Sequence, residues 1–187
     1  MKMVEISSIP LDKKMYLFEL DEVLFPQKDY VLQVYYLFAQ FVEFTEGRAI
    51  AAALTDFMKE TYLEKGHDAV FQTVEQAFTF QSDYSENFER LLANAHLPLK
   101  LYLSNAAKLL LATLIEQEAK LGVLTKGNPV TQLNKLKHLD WQGLDRQVRV
   151  YFLDELEFRN IEPFNYIAQE NQISPEDIFF VDKPWTN

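Results

Sequence analysis

The chain has 187 residues, 48% of them hydrophobic and 14% aromatic, which suits one domain or a compact core with an insertion and is too apolar for a disordered chain. Its 18 Lys plus Arg against 28 Asp plus Glu leave a net charge of −10. An acidic surface is not drawn to a nucleic-acid backbone or an anionic membrane, so neither is expected as a partner, although a pocket can still take a small phosphorylated ligand. The absence of cysteine removes disulfides, thiolate catalysis, Cys-ligated zinc and iron–sulfur clusters.

No apolar run approaches the roughly 20 residues of a membrane helix. Residues 1–14 carry charges and Pro10 but no long apolar stretch, so a cytoplasmic protein without a signal peptide is expected. There is no internal repeat and no low-complexity segment.

In chain order, Met15-Tyr16-Leu17-Phe18-Glu19-Leu20 is a short apolar run that reads as a buried strand with an acidic end. Pro26 marks a turn soon after. From about Asp29 to Ala95 the spacing of apolar residues becomes helical, with breaks at Gly47, Lys65-Gly66 and Gln81-Ser82-Asp83. This predicts a four-helix block over Tyr30–Phe44, Ile50–Tyr62, Ala69–Phe78 and Asn87–Ala95. The aromatic stripe Tyr30, Tyr35, Phe38, Phe41 and Phe44 is assigned to the core of that bundle.

Leu101–Lys120 is expected to be one long helix packed on a sheet. Leu121–Thr125 reads as a second buried strand. Asn128-Pro129 then opens a helix, as N-cap and first-turn proline, with Val130, Leu133 and Leu136 as its apolar side. Val148–Leu153 alternates like a third strand. Ile161–Glu170 is a helix, Ser174-Pro175 opens one helical turn, and Ile178–Val181 is a fourth strand ending at Asp182.

Strands alternating with helices mean a parallel α/β sheet, here interrupted by a helical insertion behind the first strand. Ligands in such sheets bind outside the carboxyl ends of the strands. Those ends carry Glu19 and Asp21, Thr125, Asp154-Glu155 and Asp182. The carboxylates of Glu19, Asp21 and Asp182 are hard oxygen ligands suited to Mg²⁺. Thr125, Lys126, Gly127 and the N–H groups opening the next helix can cradle an anion. Together these are the parts that phosphoryl transfer needs. Asp154-Glu155 reads instead as solvated surface. His67-Asp68 stands alone as a doublet, and His96 and His138 have no evident catalytic partner.

These residues resemble the haloacid dehalogenase-like (HAD) superfamily, in the subgroup with a helical cap inserted after the first strand. Phe18-Glu19-Leu20-Asp21-Glu22-Val23-Leu24-Phe25-Pro26 is similar to the family's first motif, Asp-x-Asp-x-Thr/Val-Leu. Leu121-Gly122-Val123-Leu124-Thr125-Lys126-Gly127-Asn128-Pro129, with Gln132 and Lys135 behind it, is similar to the second. Ser174-Pro175-Glu176-Asp177-Ile178-Phe179-Phe180-Val181-Asp182 is similar to the fourth.

The resemblance implies a Rossmann-like three-layer core over residues 1–26 and 97–187, with an all-helical cap over 27–96. It also implies Asp21 as acid/base, Thr125 with Lys126 and Gly127 as the phosphate site, and Glu19, Asp21 and Asp182 around Mg²⁺. The sequence departs from the pattern in three places. Glu19 replaces the nucleophilic Asp. No lysine lies between His138 and Asp182 to serve as the motif-three lysine, Arg159 being the nearby cation. Lys183-Pro184-Trp185 follows Asp182 where the family has a second acidic residue and a further helix and strand.

A methylene added to the nucleophile shifts the attacking oxygen by more than about 1 Å, and a misplacement of about 1 Å can cost on the order of 10²-fold in rate. The expected function is therefore a hydrolase-fold protein with an impaired site, kept for ligand binding or regulation. The alternative is a Mg²⁺-dependent small-molecule phosphatase, with Lys183, Lys126 or Lys135 as candidates to replace the missing cation. A third reading is a partner-binding domain that uses an exposed aromatic surface of the cap.

Overall fold

β1, Met15–Phe18, is buried along its whole length, as expected of an apolar run covered on both faces of a parallel sheet. The computed structural model describes residues 5–185. It pairs β1 in parallel with β3, Lys120–Thr125, on one side and with β6, Ile178–Val181, on the other. β5, Val148–Phe152, extends the sheet beyond β3, also in parallel, giving the order β5-β3-β1-β6. The register sets Phe18 beside Val123 and Val181, and Thr125 beside Phe152. The carboxyl ends of β1, β3, β5 and β6 thus fall along one rim.

Backbone contacts divide the chain into two compact units. One holds the described residues up to Gln27 and those from Lys100, and the other is Lys28–Leu99. In the second unit α1 is Lys28–Glu46, α2 Ala51–Lys65, α3 Val70–Ala77 and α4 Ser85–Asn94. Tyr30, Tyr35 and Phe38 are buried there, and Phe38 meets Phe88 edge-on at 5.1 Å between ring centres. Phe44 departs from the expected stripe and is 89% exposed. Glu46 takes an inward place at the end of α1, accepting from Arg48 Nε at 2.6 Å and from the Gln81 N–H at 2.7 Å.

In the sheet unit, alternate strand residues supply opposite faces. Met15, Leu17, Leu124, Tyr151, Ile178 and Phe180 share one face with Leu156 of α7 and Ile167 and Phe164 of α8. α7 is Leu153–Phe158 and α8 Pro163–Asn171. Gly122 lies on the same face, where a Cβ would come within 2.8 Å of Leu17 Cδ2 and 3.1 Å of Met15 Cε. Those two side chains occupy the room that glycine leaves.

The expected helix Leu101–Lys120 is shorter than its apolar spacing implied. Leu101–Tyr102 is β2, paired in parallel with β4, Leu139–Asp140. α5, Asn105–Glu116, begins only after Ser104, whose hydroxyl accepts the Ala107 N–H at 3.1 Å and caps the helix. It packs on β3 as expected. The strand expected over Val148–Leu153 ends at Phe152, and α7 starts at once. The helix expected from Ile161 starts at Pro163, because Glu162 acts as the N-cap and accepts the Asn165 N–H at 2.6 Å.

The helix after β3, α6 at Pro129–His138, is capped as expected: Asn128 Oδ1 accepts the N–H groups of Val130 and Thr131. Its inward face differs from the expected apolar side. Val130 and Leu133 are exposed, whereas Gln132 and Lys135 are buried beside Leu136. The reason is polar pairing: both inward groups donate to the Asp21 carboxylate, which offsets the cost of burying them.

Candidate functional site at the strand ends

After Phe18 the β1 chain stays paired for one more residue, with the Glu19 N–H donating to Val181 O at 2.9 Å. It then turns. Glu22 adopts a left-handed φ of +63°, and its N–H donates to Phe25 O at 2.9 Å. This tight loop holds Glu19 and Asp21 at the rim. Trp185 Nε1 donates to Val23 O at 2.6 Å and ties the segment after β6 to the same loop.

The Glu19 carboxylate accepts from three donors. The Thr125 hydroxyl and the Leu20 N–H reach Oε1, the latter at 2.7 Å, and the Lys126 N–H reaches Oε2 at 3.2 Å. Burial pushes the Glu19 carboxyl above the ordinary range, and the three hydrogen bonds oppose that rise without cancelling it. Gly127, at φ +110°, permits the turn that brings the Lys126 N–H inward. The Lys126 side chain is exposed, so this residue contributes its backbone here.

α6 supplies the other half of the site. Gln132 Nε2 lies 2.7 Å from Thr125 Oγ1, 2.8 Å from Lys126 O and 3.1 Å from Asp21 Oδ2. Lys135 Nζ donates to the same Asp21 Oδ2 at 2.6 Å, with its side chain 5% exposed. A continuous chain of hydrogen bonds therefore runs from Lys135 through Asp21, Gln132 and Thr125 to Glu19. Asp21 Oδ1 is buried and accepts no hydrogen bond from the described residues.

The structure thus brings together Glu19, Asp21, Thr125 and the backbone of Lys126, with Gly127 turning the chain. It adds Lys135, one of the three lysines considered as replacements for the missing cation, and Gln132, whose role was not anticipated. Their signal was in the spacing: positions 132 and 135 are one helical step apart and follow an N-cap. Arg159 is not at the site; it is exposed and faces Glu155 at 3.9 Å. Lys183 is exposed.

Among the described residues no group of three His, Cys, Asp or Glu is clustered closely enough to hold a metal ion by itself. Asp182 follows β6 on the rim but is exposed. Both Glu19 oxygens are held by donors, and Asp21 Oδ2 is held by Lys135 and Gln132.

Asp154-Glu155 opens α7 rather than ending a strand, and Asp154, expected as solvated surface, is half-buried with an unpartnered Oδ1. His67 belongs to the helical unit, where its Nδ1 pairs with the Tyr35 hydroxyl at 2.7 Å. His138 Nδ1 pairs with Asn134 O at 2.9 Å.

No family model and no curated protein sequence matches the chain. Solved structures do. A haloacid dehalogenase-like hydrolase from Bacteroides fragilis superposes on 91% of this chain and 78% of its own, at 15% identity and a TM-score of 0.50. An L-2-haloacid dehalogenase matches over 91% and 78% at 15% identity and a TM-score of 0.48. A haloacid dehalogenase-like family hydrolase from Xanthomonas campestris matches over 90% and 72% at 13% identity and a TM-score of 0.47. The chain has the haloacid dehalogenase-like hydrolase fold, a parallel α/β core with helices between its first and second core strands. Among the described residues no helix is long and apolar enough to cross a membrane.

Proposed function

We propose that this protein is a cytoplasmic hydrolase-fold protein with impaired catalysis, kept to bind a small phosphorylated ligand or to regulate through it. The observation that carries the reading is Glu19. It stands at the position from which the family's nucleophile attacks, it is one methylene too long, and three donors hold its carboxylate. A nucleophile needs a free lone pair aimed at the reacting atom within about 3–3.5 Å. Every donor on Glu19 stabilises the resting carboxylate and lowers its readiness to attack.

The chain's other groups fit a binding role. Thr125 and the Lys126 N–H are hydrogen-bond donors suited to an anionic oxygen. Asp21 is held in an ion pair by Lys135, and Gln132 locks that pair to Thr125. The net effect is orientation, with Asp21 Oδ1 the carboxylate oxygen of this pair left without a partner among the described residues.

One observation favours a working phosphatase instead. Lys135 supplies a buried cation to the site from α6, although no lysine lies between His138 and Asp182. Phosphate release from an aryl phosphate with Mg²⁺ present separates the two readings. The native protein is expected to be silent, with Glu19→Asp the variant that gains turnover. Native turnover that disappears in Asp21→Asn refutes the impaired reading.

A further inference from the structure

Glu19 is held at the strand ends by three donors. The Thr125 hydroxyl, the Leu20 N–H and the Lys126 N–H converge on it from the ends of two adjacent strands. Thr125 is fully buried, and its oxygen already accepts from Gln132 Nε2. Its hydroxyl proton is thereby committed to Glu19. The first N–H groups of α6 are unavailable, because Asn128 takes those of Val130 and Thr131. The three donors on Glu19 are therefore a small oxyanion cradle, and a carboxylate with two oxygens fills it. The length of Glu matters here: a C–C bond adds about 1.5 Å of reach, and Asp at this position would fall short of the two β3-end donors.

Charge points the same way. Glu19 itself puts a negative charge inside the cradle, held by charge-assisted hydrogen bonds. An incoming oxyanion must displace that hydrogen-bond set and enter beside the charge that fills it.

We propose that the Glu19 carboxylate is the resident anion of this site, an internal occupant that excludes phosphate-bearing ligands until it swings out. This rests on reading the rim as a hydrolase-fold phosphate site, and it adds that the site is closed by one of its own side chains. Shortening or removing that side chain then opens the cradle rather than damaging it.

The test is calorimetric titration of inorganic phosphate into the native protein, Glu19→Asp and Glu19→Ala, with circular dichroism as the check on folding. Phosphate is expected to bind the variants at least about tenfold more tightly than the native protein, the factor released when a charge-assisted set no longer has to be broken. Adding Thr125→Val to either variant is expected to remove the gain. The Asp variant keeps the carboxylate and serves if the Ala variant does not fold.

Native binding as tight as that of the folded variants overturns the proposal. So does a folded Glu19→Asp that gains nothing. Failure of the functional reading looks different: a native protein that hydrolyses aryl phosphate while its Glu19 variants still gain phosphate affinity refutes impairment and leaves the internal occupant standing. A silent native protein whose variants gain no affinity does the reverse.

Discussion

Lys135→Met tests whether the buried network holds the fold together. Lys135 Nζ lies 2.6 Å from Asp21 Oδ2, with side-chain exposures of 5% and 19%. At an effective dielectric of about 20, two unit charges at that distance attract by roughly 6 kcal/mol before desolvation is counted. Removing one partner of a buried pair costs about 3–5 kcal/mol, because the other charge is left uncompensated. Asp21 keeps Gln132 at 3.1 Å and some solvent, which places the expected loss near the bottom of that range, about 3 kcal/mol. Methionine fills most of the space of the lysine stem, so little of the loss comes from packing.

For a chain of this size that loss lowers the melting temperature by roughly 6–12 °C. Urea denaturation followed by circular dichroism reads it as a lower midpoint at unchanged slope. Lys135→Met combined with Asp21→Asn removes both charges and is expected to be less destabilised than the two single changes summed, by about 1–2 kcal/mol. A single variant within about 0.5 kcal/mol of native, or strict additivity in the cycle, refutes the account.

Thr125→Val keeps the shape of a fully buried side chain but deletes the hydroxyl that donates to Glu19; an expected loss of about 1–3 kcal/mol, reduced in Thr125→Ser to the roughly 1 kcal/mol of one buried methyl, is readable in the same denaturation experiment. Gly122→Ala places a Cβ 2.8 Å from Leu17 Cδ2, and forcing those side chains aside is expected to cost about 1–3 kcal/mol of thermal stability. Glu46 concerns the helical unit: burial pushes its carboxyl up, but the Gln81 N–H and Arg48 outweigh that and hold it below the ordinary range near 4.5. A lowered carboxyl contributes stability above its unfolded value and loses it as pH falls through the folded one, so Glu46→Gln is expected to flatten the native stability profile below about pH 4.5, as measured by melting temperature against pH.

Much of the architecture was legible along the chain. Buried strands declared themselves because Met15–Phe18 and Leu121–Leu124 are short continuous apolar runs. The start of α6 was equally plain, since an Asn N-cap and a following Pro act through local backbone geometry. Local signals misled where packing decided. Leu101 and Tyr102 fit a helical spacing, yet they pair with Leu139 and Asp140, a partner 38 residues away along the chain. Phe44 fits an aromatic stripe, yet it faces solvent while Glu46, a charged residue, turns inward to Arg48 and Gln81.

The site divides in the same way. The sequence by itself determined which residue types reach the strand ends, because strand termini are properties of the chain. Only the tertiary structure decided what those residues do to one another. That Thr125 and Lys126 direct their donors to Glu19, and that α6 turns Gln132 and Lys135 inward while Val130 and Leu133 face water, are outcomes of three-dimensional pairing. The physical reason is that a buried polar group is stable only against a partner, and the partners here are brought together from positions more than a hundred residues apart.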